Sequence, residues 1–214
     1  MGRGTLRDMR NMQTEHERRK KVGNRIILLV IFIAVVLGYI GFVLASHGGP
    51  KMLVQSNGNE IGGSFRLNSL GESTVTEGDF HGTWMLVWFF DPRCPKNQCQ
   101  PVLKSMETAK AVLHAKGIRV SALAVSLDMD AVDNDALKDY VIPIAPHVMP
   151  FTASPNMLKA MTTEYHAPFE KVGGHYLQAP QIVVMNPDSR YAGMIAADGD
   201  ADALTAQIQK FAAR

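Results

Sequence analysis

The sequence predicts an α/β domain, a mixed central sheet flanked by helices, carried behind a single N-terminal transmembrane helix. Three observations predict it. Ile26–Ala45 is a twenty-residue run without a charge. Residues 64–214 alternate short, nearly continuous apolar runs with segments of helical period. The composition, 46% apolar and 20% charged over 214 residues, is that of an ordinary globular chain long enough for one domain with a proper core.

Taken in order, residues 1–25 form a basic tail. They hold eight Arg or Lys against three Asp or Glu, while the rest of the chain is net acidic. The basic surplus is therefore confined to the tail, and no basic stripe in the body points to nucleic acid. Asp8, Glu15 and Glu17 interrupt the basic series, unlike a mitochondrial presequence, and Leu6 stands where a myristoylation signal needs Ser or Thr.

The run "IILLVIFIAVVLGYIGFVLA" rises about 1.5 Å per residue as a helix and so matches the roughly 30 Å hydrocarbon core of a bilayer. It is longer than the roughly 7–15-residue core of a signal peptide, which predicts an uncleaved anchor. The cluster "ERRKK" precedes it and only Lys51 lies near its far end, so the positive-inside rule keeps the tail cytoplasmic. A bacterial inner membrane with a periplasmic domain is the simplest setting. Residues 46–63, rich in Gly, Ser and Asn, read as a linker, and residues 64–214 as the domain.

Within the domain, "GSFRLNSL" alternates at period two and ends at a Gly turn, as an edge hairpin does. "TWMLVWFF" (83–90) has the pattern of a strand buried on both faces. Gln100–Gly117 carries Val102, Leu103, Met106, Ala109, Val112 and Leu113 at helical spacing. "IRVSALAVSL" reads as a second core strand, "DNDALKDYV" as a helix, and "SPNMLKAMTTEY" as a helix capped by Ser154 with Pro155 in its first turn. "PQIVVMN" is a third core strand and "DADALTAQIQKFAA" a final helix.

The only two cysteines, Cys94 and Cys99, lie in "FFDPRCPKNQCQPVL", between the first core strand and the following helix. In an oxidising compartment such a pair becomes a disulfide unless it is kept reduced or metal-bound. Pro95 suits a helix first turn, and a thiolate at a helix N-terminus is stabilised as a nucleophile or soft metal ligand. Three uses remain open. A staple closing so small a loop gains little entropy, a redox couple needs the sulfurs adjacent, and a metal clamp needs a third ligand. If the helix began at Cys94, residues five apart would diverge by about 140° around its axis.

This strand–dithiol–helix placement is that of thioredoxin-like proteins. Pro180, opening the third core strand, stands where that fold keeps a cis-proline facing the thiols. The segments "EIGGSFRLNSLGESTVTEGDFHGTWMLVWFFDPRCP", "VSLDMD", "FTASPNMLKAMTTEYHAPFEKV" and "APQIVVMNPDSRYAG" follow in order those of the Sco/SenC family, and the domain resembles that family over about residues 60–214. Its members are membrane-anchored thioredoxin-like proteins involved in copper delivery to the binuclear copper centre of cytochrome c oxidase.

The resemblance implies a copper metallochaperone. One copper ion per chain is held by Cys94, Cys99 and a histidine, and the partner is the oxidase subunit carrying the binuclear site or another periplasmic thiol or copper protein. The alternative is a membrane-anchored thiol–disulfide oxidoreductase acting on cysteines of a periplasmic partner. In the family three residues separate the cysteines; here there are four. Counting back from Asn186 in "NPDSR" to the place of the family histidine reaches Gln178, and the histidine of this stretch is His175, in "KVGGHYLQAP". His175 is the third candidate ligand, delivered by a loop that Gly173 and Gly174 make pliant. Cu(I) is soft and accepts two thiolates and an imidazole. His147 lies in a loop, Asp128 at a strand end, Trp84 and Trp88 in the core, and Asp91 and Arg93 flank the site where charges steer partners.

Overall fold

The computed structural model describes residues 61–129 and 134–214, together with Val36. The chain divides into two compact units, Met1–Lys51 and Met52–Arg214. The transmembrane reading of Ile26–Ala45 lies outside the described residues except at Val36, which is helical. Among the described residues no helix is long and apolar enough to cross a membrane.

The second unit is built on a seven-stranded mixed sheet. Its strands, in chain order, are β1 (Arg66–Ser69), β2 (Thr74–Thr76), β3 (Trp84–Phe90), β4 (Val120–Ser126), β5 (Met149–Thr152), β8 (Gln181–Met185) and β9 (Tyr191–Ala196). They lie side by side as β2-β1-β5-β4-β3-β8-β9. β3, β4 and β5 run parallel, and the flanking pairs are antiparallel. The helices are α1 (Lys96–Ala115), α2 (Asn134–Val141), α3 (Pro155–Glu164) and α4 (Ala201–Ala212).

The central strands are buried on both faces, as their unbroken apolar runs demand. On one face Leu86, Trp88 and Phe90 of β3 pack with Leu103 and Met106 of α1, Leu137 of α2 and Leu204 of α4. On the other, Met85, Val87 and Phe89 pack with Leu158 and Met161 of α3 and with Tyr165. Successive residues of β3 thus feed opposite cores, the period-two consequence of a central strand. Val112, counted by periodicity on the apolar face of α1, is instead exposed.

Ser154 accepts a hydrogen bond from Met157 N and caps α3, with Pro155 in its first turn, as the sequence predicts. Two features differ from expectation. The last residues of the stretch read as a linker are docked on the fold: Gly62 N donates to Glu164 O at 2.7 Å, and Tyr165 OH to Gly63 O at 3.0 Å. The stretch before Pro180, expected to be a pliant loop, is a hairpin of β6 (Phe169–Val172) and β7 (His175–Gln178). Gly173 and Gly174 form its two-residue turn at φ +56° and +89°, a conformation glycine adopts without steric cost.

Candidate functional site

Cys94 and Cys99 lie where β3 hands over to α1. The chain leaves β3 at Phe90 and turns through Asp91–Pro95 before the helix starts at Lys96, so only Cys99 is helical. The Cα atoms are 6.1 Å apart and the two sulfurs form a disulfide, a separation within the ordinary range for such a bond. The fourth intervening residue is thus absorbed ahead of the helix, and the divergence expected of two helical positions does not arise. Pro95 makes this possible: it is extended (φ −54°, ψ 131°), and its carbonyl accepts from both Gln98 N and Cys99 N.

The turn is pinned from several directions. Cys94 N donates to Asp91 O at 2.9 Å, and Tyr140 OH of α2 donates to Cys94 O at 2.9 Å. The Asp91 carboxylate is fully buried. One of its oxygens accepts from Arg93 N (2.8 Å) and Arg93 Nε (2.9 Å), and the other from Arg93 Nη2 (3.0 Å) and Tyr176 N (2.6 Å). Burial by itself pushes the Asp91 carboxyl up, but the Arg93 side chain and the two backbone N–H groups outweigh it and hold the group below its ordinary value. Burial raises the Tyr140 phenol.

Asp91 is therefore a fastener between the dithiol turn and β7. The expectation that it steers a partner from the surface does not hold, because no charge so enclosed faces solvent. Arg93 stays 42% exposed, reaches Asp128 at 3.4 Å and lies over the Tyr176 ring at 5.8 Å. Asp128 thus contacts the dithiol loop.

Beside the disulfide is a cavity of about 340 Å³ whose walls include Trp88, Cys94, Cys99, His175, Tyr176 and Gln178. Trp88 is core, as read from sequence, and stacks on Phe90 at 4.8 Å. The hairpin therefore brings His175 to the same cavity as the cysteines. The side chain on the sulfur, however, is Gln178, whose Nε2 lies 3.5 Å from Cys99 Sγ. Residues 175 and 178 are three apart on one strand, so their side chains leave opposite faces.

Among the described residues no group of three His, Cys, Asp or Glu gathers as a metal-holding cluster. His147 lies before β5 and is bonded to Glu107, which stands eight residues after Cys99 on α1, a helical rise of about 12 Å from the dithiol end. Pro180 differs from the expected cis form: every described peptide bond is trans. Its carbonyl accepts from Ala197 N while Gln181 N turns back to Ala179 O, a trans turn that leads straight into β8.

The model of the SCO1/SenC family matches residues 54–213. The chain belongs to the SCO1/SenC family. SCO1 homolog 2, mitochondrial, of Arabidopsis thaliana is 25% identical over 83% of this chain and 72% of its own length. The family fold is seen in Arabidopsis thaliana ScoI with copper bound, which superposes with a TM-score of 0.65 at 23% identity, covering 72% of this chain and 98% of that one. A structure of BsSco, described as a member of the Sco family of cytochrome c oxidase assembly proteins with a disulfide switch, gives 0.58 at 15% identity, covering 75% of this chain and 98% of that one.

Of the site residues, Tyr140 has no signal in the sequence, and the roles of Asp91 and Gln178 differ from those their positions suggest. Asp91 and Tyr140 act through contacts far apart in sequence. Gln178, which stands at the place of the family histidine, is a neighbour of sulfur. One signal was present: Gly-Gly between alternating residues is a two-residue hairpin turn, and a hairpin fixes which side chains share a face.

Proposed function

We propose that the chain is a membrane-anchored copper carrier of the Sco type, acting from the bacterial inner membrane into the periplasm. Its cargo is one copper ion, taken up by the reduced Cys94–Cys99 pair with His175 as third ligand. The recipient is the cytochrome c oxidase subunit that carries the binuclear copper site. The observation that carries this reading is the meeting of both cysteines and His175 at one cavity. Copper bound in the Arabidopsis relative and the preference of Cu(I) for thiolate and imidazole support it.

A closed disulfide has no thiolate to offer, so loading begins with its two-electron reduction. Arg93, Asp91 and Tyr140 then keep the turn in place while the sulfurs separate. The test is anaerobic titration of the reduced Met52–Arg214 unit with Cu(I). One equivalent should bind, Cys94→Ser and Cys99→Ser should each abolish binding, and His175→Ala should weaken it. A reduced wild-type unit that stays copper-free overturns the reading.

A second reading is favoured by a specific observation. The cysteines stand as a disulfide, and the group on Cys99 is a carboxamide in place of an imidazole. That arrangement suits a thiol–disulfide oxidoreductase serving cysteines of a periplasmic partner.

A further inference from the structure

The two sulfurs of the pair are not equivalent. Cys99 is 3% exposed, whereas Cys94 is half-buried and borders the cavity. Their polar neighbours differ in kind as well. Cys99 Sγ has the Gln178 Nε2–H donor at 3.5 Å, and it sits in the first turn of α1. Cys94 Sγ has the Pro95 carbonyl oxygen at 3.7 Å, an acceptor. A developing thiolate is stabilised by a donor and by the positive end of a helix, and destabilised by a carbonyl oxygen.

We propose that Gln178 is a catalytic residue of disulfide opening: it directs an incoming thiolate to Cys94 by stabilising Cys99 as the leaving thiolate. The inference rests on reading the pair as a thiol–disulfide couple, which both functions above require. In the first step the incoming thiolate forms a new S–S bond to Cys94 Sγ. The Cys94–Cys99 bond breaks and its electron pair leaves on Cys99 Sγ. In the second, another thiolate displaces Cys94 from the mixed disulfide, so two thiols become one disulfide and the cysteine pair gains two electrons. The two protons lost by those thiols balance the two cysteine sulfurs.

Gln178 is suited to this role because a carboxamide carries no charge and does not titrate, so its donor is present at any working pH. It is held in place by the hairpin, whose β7 strand is tied to the dithiol turn through Tyr176 N and Asp91. The order of attack also follows from access, since a reagent entering the cavity meets Cys94 first.

The test uses the full chain, oxidised, in detergent micelles with glutathione as the thiol. After rapid quenching with N-ethylmaleimide, trypsin separates the two cysteines, because Arg93 and Lys96 flank Cys94 and Lys104 follows Cys99. Peptide mass spectrometry should find glutathione on Cys94 and maleimide on Cys99. Gln178→Leu should open about tenfold more slowly, the scale of one hydrogen bond to a charged group, and should shift part of the glutathione to Cys99. Gln178→Glu, which puts an acceptor on the same sulfur, should be slower still, and it decides the matter if the leucine variant fails to fold.

Glutathione found mainly on Cys99 of the wild type, or variants opening within twofold of the wild-type rate, overturns the role of Gln178. A wild-type disulfide that neither glutathione nor dithiothreitol opens overturns the couple reading itself, and this inference with it.

Discussion

Replacing Asp91 by Ala removes the carboxylate that links the dithiol turn to β7 through Tyr176 N. Its four accepted bonds do not count equally. Tyr176 is buried, so the loss of the Asp91 acceptor from its amide takes place out of reach of water, at about 1–3 kcal/mol. The Arg93 amide is part-buried and its loss is smaller, roughly 1 kcal/mol. The Arg93 guanidinium is 42% exposed and returns to water, so its ion pair contributes little beyond about 0–1 kcal/mol. The expected loss is roughly 3 kcal/mol, at the lower edge of what is found when a buried ion pair loses one member.

Urea unfolding of the oxidised Met52–Arg214 unit measures it, and faster hydrogen exchange at Tyr176 N locates it. Asp91→Asn keeps one acceptor oxygen and should cost about half as much. The folded carboxyl lies below its ordinary 3.8. Its contribution is therefore complete above that value and is lost as the pH falls through the lower, folded one. The gap between wild type and Asp91→Ala should thus stay constant from neutral pH down to about pH 5 and narrow below about pH 4. A stability loss under about 1 kcal/mol, or a gap that widens in acid, would refute the fastener argument.

Two further outcomes follow from the same geometry. Gln178→His places an imidazole on the strand face that touches Cys99, so the reduced unit should bind Cu(I) about tenfold or more tightly than wild type in competition with a chelator; equal affinities would mean that this face of β7 does not meet the metal. Tyr140→Phe removes the bond to Cys94 O while keeping the ring against Phe90, at 5.7 Å between centroids. It should cost about 1 kcal/mol in urea and increase the rate at which glutathione opens the disulfide; an unchanged rate would show that the turn is rigid without Tyr140.

The sheet and its helices were legible because their signals are local. An unbroken apolar run such as residues 84–90 has one stable use in a soluble fold, and Ser154-Pro155 marks a helix start by chemistry any backbone shares. β5, with Pro150 inside it, and β6, with charged and exposed residues, have no such pattern, and β7 is marked only by the Gly-Gly turn before it. β5 is a strand because of where its neighbours lie, which no window of sequence records. The cysteine pair was located from its strand and helix, but its bonding turned on where the helix starts, one residue after Pro95. Asp91 reads as a surface charge in sequence because nothing near it reveals that Tyr176, eighty-five positions away, closes over it.

β7 is where the two readings of the site divide. Its alternation presents either Gln178 or His175 to the sulfurs, and with the strand tied at Tyr176 N to Asp91 the side chain in place is Gln178. A metal drawn to His175 on the far side of that alternation would gain from any shift of the strand, and the tie that restrains it is the Asp91–Tyr176 bond. Breaking it by Asp91→Ala should therefore act in opposite directions on the two chemistries. Thiol-driven opening, which uses Gln178, should slow, whereas access of His175 to a metal on the reduced pair should rise. The two cysteines are common to both activities, so the face that β7 turns to them decides between metal carriage and thiol exchange.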